Sequence, residues 1–356
     1  MRLVFPDFRS LWNNAGMFLV FSLLFITLSV FVPYFLTVQN MIGVALSVSM
    51  VGMVACSMLF CLASGDFDLS VEGVVVLSGV ICAVVIDGTH SVALGVALGL
   101  AAATLVGTFN GLIIAKLRIN ALITTLAMLS IVRGFSFIAS NGSAVGIADE
   151  GFFELGNGSL LGIPNPIWIT TLMFVVFGTI LHRTTFGRET LAVGGNQEAA
   201  RMAGIDVDRV KILIFTVQGL VAGGAGIILA SRMTSGQPNS SSGFALDVIA
   251  ACMLGGVSHT KGTGTMRGVI LGVLIMGTVQ NAMNLIGIPT FYQYLTKGTI
   301  LLAAVVFDRF HWENRFPERR QTPRRPPITR STAPRSHQVP RSRKPAAENN
   351  RRNSGI

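Results

Sequence analysis

Residues 184–211 read TTFGRETLAVGGNQEAARMAGIDVDRVK, a polar block set between long apolar runs. The block carries Arg188, Arg201, Arg209 and Lys211 together with Glu189, Glu198, Asp206 and Asp208. Asn196 is a good N-cap, Glu198 sits favourably near a helix N-terminus, and Gly204 is a natural terminator. The pattern predicts a helix of about two turns with Ala199, Met202 and Ala203 on one face. A helix so short needs a surface to pack against. It is either a plain connector between two membrane spans or a knob that docks on a cytoplasmic partner.

The apolar flanks settle the class. Of 356 residues 51% are hydrophobic and only 12% charged, with a mean hydropathy of +0.62. A soluble domain carries about twice that share of charge. Apolar runs of about 20 residues recur, the length a helix needs to cross a bilayer. The expected fold is an all-α integral membrane protein.

The net charge of +10 belongs to the C-terminus: 13 of the 27 basic residues lie from Arg309 onward, against Glu313, Glu318 and Glu348. The body is neutral, so the basic balance gives no reason to expect nucleic-acid binding. Cys56, Cys61, Cys82 and Cys252 lie inside apolar runs without metal-ligand spacing and read as small core side chains. No small-residue cleavage site follows the first apolar run, which is therefore expected to stay in the membrane.

Ten segments emerge, at 17–36, 41–63, 71–86, 91–115, 121–139, 166–182, 210–231, 245–257, 266–286 and 291–307. The third and eighth are too short to cross comfortably. With both termini in the cytoplasm, Lys116, Arg118, Arg183, Arg188, Arg201, Arg209, Lys211, Lys261 and Arg267 all fall inside. Among basic residues only Arg232 falls outside, which satisfies the positive-inside rule.

GTFNGLIIAKLRINALITTL from Gly107 resembles GTVQNAMNLIGIPTFYQYLT from Gly277. The offset spans five segments, an odd number, which predicts an inverted internal repeat with broken or short helices near the centre. Chance similarity of two glycine-rich helices is the alternative.

Polar groups in apolar segments face a bundle interior or water. Asp66, Phe67 and Asp68 lie in the break SGDFDLS, Asp247 opens the short eighth segment, and Asn110, Asn120, Thr124, Thr125, Gln280, Asn281 and Asn284 gather around the fourth, fifth and ninth. Amides and hydroxyls both donate and accept, which suits a neutral polyhydroxylated solute. They equally serve as glue between helices. The break is the stronger pathway candidate, because irregular backbone at membrane depth is tolerated only beside protein or a cavity. Arg133 and Lys297 read either as ion-relay or substrate charges or, the favoured reading, as side chains snorkelling from near a helix end.

Chemistry on the chain itself finds no support. His90, His182 and His259 lie in or beside loops without a convincing Ser or Cys partner. No phosphate-binding Gly-rich loop ending in Lys-Ser/Thr is present, so any ATP energy would have to come from another subunit.

Glu198-Ala199-Ala200, three residues, Gly204, nine residues and Ile214 resemble the EAA coupling motif of bacterial ATP-binding-cassette importer permeases; the closing Leu-Pro is replaced by Phe215-Thr216. GMVACSMLFCLASGDFDLSV (52–71), KLRINALITTLAMLSIVRG (116–134), ILASRMTSGQP (228–238), CMLGGVS (252–258) and QNAMNLI (280–286) extend the resemblance over roughly 15–309. Together they resemble the ribose/arabinose/galactose permease family. That resemblance implies a monosaccharide importer, L-arabinose first, with ribose, xylose or galactose as alternative cargoes. It implies that Asn196, Glu198, Ala199, Ala200, Arg201 and Gly204 form the coupling helix. It also implies two permease copies, a cytoplasmic ATPase that holds ATP and Mg, a periplasmic sugar-binding protein, and residence among the lipids of the bacterial inner membrane. No cofactor or metal is expected on this chain, and no enzymatic activity. GGVSHTKGTGT departs from the compact loop of relatives.

The expected organisation is a cytoplasmic N-terminus over 1–16, a permease body over 17–308 with its coupling loop at 183–211, and a basic Pro/Arg-rich tail over 309–356. The tail reads as a shifted frame or an unrelated disordered extension. An ion-coupled secondary transporter working alone is the competing class, kept open by Asp66, Asp68 and Asp247. An intramembrane hydrolase lacks a dyad.

Overall fold

A computed structural model describes residues 8–315 of the chain. The tail from 316 onward lies outside the described residues. In chain order come α1 (Phe8–Phe31), α2 (Val38–Ala63), α3 (Val71–Thr89), α4 (Val92–Lys116) and α5 (Ala121–Ala139). A connection follows with β1 (Val145–Gly146), α6 (Glu150–Asn157), β2 (Ser159–Leu160) and β3 (Ile163–Pro164). Next are α7 (Asn165–Arg183), α8 (Thr185–Gly195), α9 (Gln197–Met202) and α10 (Val207–Met233). The series closes with β4 (Ser235–Gly236), α11 (Phe244–Leu254), α12 (Met266–Leu285) and α13 (Thr290–Arg315). The two-residue strands pair as antiparallel clips, β1 with β4 and β2 with β3.

Each of the ten apolar segments forms a helix, but only seven helices, α2, α3, α4, α5, α7, α10 and α12, are long and apolar enough among the described residues to cross a membrane. The remaining three segments, in α1, α11 and α13, fall short of that length or hydropathy, so about ten crossings stay an expectation. The third segment, expected to be short, runs on to Thr89 and reaches 19 residues. The eighth, α11, stays short at 11 residues. In α13 the first turns carry Gln293, Thr296, Lys297 and Thr299, which leave a continuous apolar run only from Ile300. Arg232, expected in a loop, lies in the last turn of α10.

Helices α2, α3 and α10 form the centre, with Met53, Val54, Leu59, Leu62, Val71, Val74, Ile214, Ala222 and Ala225 in one buried cluster. Around them α4, α5 and α7 turn Leu105, Ile123, Ile138, Leu172 and Val175 outward, as lipid-facing helices must. Apolar burial drives little between helices in lipid, so close backbone packing has to do the joining. Small residues recur every fourth position along α4, at Gly95, Gly99, Ala103, Gly107 and Gly111, and α10 answers with Gly219, Gly223 and Gly226. A Cβ on Gly107 would collide with the Phe215 carbonyl, and one on Gly219 would lie 2.9 Å from the Gly107 Cα. Thr108 and Thr216 hydrogen-bond across the same seam at 3.1 Å, and Ser78 donates from α3 to the Gly223 carbonyl at 3.0 Å.

Shifted by 170 residues, α2 to α5 fall in turn on α10 to α13, with α2 landing on 208–233. The interruptions match as well: 64–70 precedes α3, and 234–243 precedes α11. Because α2 ends where α10 begins, the two series run in opposite directions. That end of the bundle, called here the basic end, gathers Lys116, Arg118, Arg201 and Lys211.

Candidate functional site

Two structures meet at the basic end: a pair of short helices from the 183–211 loop and the interrupted 64–70 element. Thr184 starts α8 by accepting from the Gly187 N–H, and its inner face buries Gly187, Thr190 and Val193. Phe186 stacks on Phe60 of α2 with ring centroids 5.6 Å apart, and Phe60 meets Phe177 of α7 edge-on at 5.9 Å. Gly194 touches the end of α2 so closely that a Cβ there would collide with the Ala63 carbonyl. The sequence reading passed over α8, although Phe186, Thr190 and Val193 already show helical spacing.

The expected coupling helix is α9. Asn196 caps it, its Oδ1 accepting from the Ala199 N–H at 3.0 Å. Gly204 stops it at φ +87°, while the Ile205 N–H closes back on the Ala200 carbonyl at 3.0 Å. The helix is six residues, shorter than expected. Ala200 is buried against the body, whereas Glu198, Ala199, Met202 and Ala203 are exposed, Met202 to 90%. The face bearing Ala199, Met202 and Ala203 is thus left uncovered by this chain. Arg201 pairs with Asp208 of α10 at 3.3 Å, and Lys116 of α4 shares the same carboxylate at 3.3 Å.

Beneath α9 lies a polar cavity of about 290 Å3, bounded by Asn120, Gln197, Glu198, Arg201, Asp208 and Lys211 with Asp66 at its floor. Lys211 pairs with Asp66 at 2.8 Å, and both side chains are only 10% exposed. Asp68 accepts from the Ser70 N–H at 2.9 Å and the Ser70 hydroxyl at 2.6 Å, and Asn110 Nδ2 donates to Ser70 Oγ at 2.8 Å. Asn110 lies about 9 Å back from the end of α4. The 64–70 element therefore runs alongside α4 rather than beyond it. The ring of Phe67 lies 4.8 Å from that of His259. Ionic contacts thus link α9, α10 and the interrupted element.

The remaining candidates divide. Asn120 caps α5, accepting from the Leu122 N–H at 2.9 Å, and stands on the cavity rim; Thr124 donates back to the Asn120 carbonyl at 3.0 Å. Asp247 pairs with Lys297 at 2.6 Å in a different part of the bundle. Asn281 exchanges hydrogen bonds with Asn40 at 2.8 and 3.1 Å, tying α12 to α2, and Asn284 accepts from Gln293 at 2.7 Å. Asn281→Ala is expected to cost about 0.6 kcal/mol, the usual worth of such a bond in a membrane, and to leave transport unchanged; a thermal melt of the purified protein measures the first and uptake the second. Arg133 does not snorkel: it donates to Glu72 at 2.6 Å. Glu72 escaped the sequence reading, as did Gln218, a buried amide in α10 whose polar atoms meet no partner among the described residues. A single polar residue in an apolar run leaves no periodic signal.

A helical multi-pass body with two opposed helix series, each interrupted after its first helix, and a short exposed helix at the basic end is an arrangement that transport permeases share. The chain belongs to the family described as branched-chain amino acid transport system, permease component, whose model matches residues 40–305. Its relatives include the L-arabinose transport system permease protein AraH of Escherichia coli K12, 58% identical over 304 residues, which are 85% of this chain and 93% of that one. The L-arabinose ABC transporter permease protein AraH of Azospirillum brasilense is 55% identical over 303 residues, 85% of this chain and 89% of the relative. The ribose import permease protein RbsC of Bacillus subtilis is 38% identical over 305 residues, 85% and 94% of the two chains. No solved structure matches the chain.

Proposed function

We propose that this chain is the translocation subunit of an ATP-driven importer that carries L-arabinose into the cytoplasm by alternating access. The observation that carries the cargo is the 58% identity to an arabinose permease along nearly its whole length. Ribose is the second cargo, on the likeness to a ribose permease. Asp66, Glu72 and Asp247 each face a cation at hydrogen-bonding distance, an arrangement that favours the ATP-driven reading over a proton-coupled one.

In this reading α9 is the coupling helix, and the basic end with both termini faces the cytoplasm of a bacterial inner-membrane protein. Glu198, Ala199, Met202 and Ala203 supply the docking face. A separate ATPase holds ATP and Mg, a periplasmic sugar-binding protein delivers the sugar, and the permease itself performs no chemistry and holds no cofactor. Two copies of the chain enclose one pathway, and the opposed α2–α5 and α10–α13 series act as an inverted repeat. Asp66, Phe67, Asp68 and Asn110 form the hinge that passes motion from α9 to the pathway, because Arg201–Asp208 and Lys211–Asp66 connect them through α10.

The test is arabinose uptake by cells making the chain with its ATPase and binding protein, with a proton uncoupler present and ATP maintained. Uptake that needs all three proteins and survives the uncoupler is expected; uptake by this chain alone that collapses with the proton gradient would overturn the reading. Met202→Asp changes an exposed docking side chain and nothing in the packed body. It is expected to lower uptake about tenfold, the effect of losing roughly 1.4 kcal/mol of docking energy, at unchanged membrane level.

A further inference from the structure

Charged side chains in a membrane segment are costly and sit where protein or water surrounds them. Four of them cluster where the two interrupted elements meet. Glu72, in the first turn of α3 just past 64–70, accepts from Arg133 of α5 at 2.6 Å through Oε1. Its Oε2 accepts at 3.0 Å from the N–H of Gly243, the residue that ends 234–243 and starts α11. One turn on, Asp247 accepts from Lys297 of α13 at 2.6 Å. Asp247 lies about 10 Å along α11 from its Leu254 end, well inside the bundle's length.

Beside this junction is a cavity of about 110 Å3, whose apolar wall includes Leu246, Ala250 and Leu301 and whose polar side is formed by Asp247, Lys297 and Tyr294. It opens on the flank of the chain: the Asp247 and Lys297 side chains are 21% and 23% exposed, and Tyr294 is 59% exposed. The ion pair is thus left partly open at the cavity instead of being sealed between α11 and α13.

We propose that this cavity is a sugar contact on the translocation pathway, with Asp247 and Lys297 engaging hydroxyl groups and Tyr294 offering its ring to the apolar face of the sugar. The inference rests on the importer reading. Its chemistry is that of a neutral polyol. Asp247 keeps a second carboxylate oxygen to accept, Lys297 keeps ammonium hydrogens to donate, and the pair is already neutral, so it asks for no ionic cargo. Tyr294 is a rigid flat surface with little conformational entropy to lose. Between two copies of the chain the open flank would face the shared pathway rather than lipid. The sequence singled out Asp247, Arg133 and Lys297 as polar or charged residues in apolar runs, but not Glu72 or Tyr294, and nothing in it joined them.

The experiment uses the complete assembly, permease with ATPase and binding protein, in liposomes with labelled L-arabinose. A wild type without ATP-dependent uptake would end the importer reading and this proposal with it. With an active wild type, Tyr294→Ala and Lys297→Met are each expected to cut uptake about tenfold, the scale of one lost polar or aromatic contact. ATP hydrolysis stimulated by loaded binding protein should meanwhile stay close to wild type. Exchanging the charges, Asp247→Lys with Lys297→Asp, preserves the ion pair and the fold. The exchanged protein should remain impaired and show an altered arabinose-to-ribose ratio. Wild-type uptake in Tyr294→Ala, or full recovery with an unchanged ratio in the exchanged protein, would reduce the pair to a helix clamp and overturn the proposal while leaving the importer reading intact.

Discussion

Gly107→Leu is expected to lower the stability of the folded permease measurably. The added side chain has to enter the seam where α4 and α10 touch backbone to backbone, and its Cβ alone collides with the Phe215 carbonyl. The helices must separate, and the Thr108–Thr216 bond at 3.1 Å separates with them. Overpacking of this kind costs roughly 1–3 kcal/mol, which in a chain of 356 residues lowers the melting midpoint by roughly 1–4 °C. In lipid no hydrophobic gain offsets the lost contact. Gly88→Leu is the control, because a Cβ at Gly88 meets no atom within 4 Å. Size-exclusion profiles and thermal melts of the two detergent-purified variants decide the matter. Equal stability would show that the small-residue seam is not what joins α4 to α10.

Asp66→Ala is expected to be as damaging for a different reason. It leaves the Lys211 ammonium, in a residue 8% exposed, without its counter-charge. Removing one partner of a buried pair costs roughly 3–5 kcal/mol, a large part of a typical margin of roughly 5–15 kcal/mol. Replacing both partners, Asp66→Leu with Lys211→Met, should restore much of the stability, since an apolar pair of similar volume avoids the unpaired charge. The thermal midpoints of the single and double variants measure this. ATP-driven uptake by the restored double variant then reports what the link between α10 and the 64–70 element contributes to transport. Single variants as stable as wild type would mean that water reaches Lys211 and the pair is not a buried one.

These two sites mark the line between what could be read from the chain and what could not. The caps and stops of α9 were legible because Asn196 and Gly204 act on their own neighbours, within a turn of chain. The apolar runs were legible because the bilayer sets their length. The small-residue ridge at Gly95, Gly99, Ala103, Gly107 and Gly111 was equally plain in the sequence and went unread, as did the helical spacing of α8.

Partnership was a different matter. Asp66 could be named as a costly buried carboxylate, but Lys211 lies far along the chain and nothing local ties the two. Arg133 and Lys297 looked like side chains reaching for an interface because Glu72 and Asp247 sit on other helices. Asn281 and Asn284 carried the same polar signal as Asn110, yet the first two tie helices together while Asn110 holds the interrupted element.

By itself, then, the sequence determined the helical membrane class, the positions of the apolar segments and the short capped helix, because each depends on local spacing or on the thickness of the bilayer. Tertiary structure alone decided which charges neutralise one another. It also decided that the two interrupted elements meet at Glu72 and Gly243. Those outcomes depend on contacts between residues distant in the chain, whose energy is realised only when the helices pack.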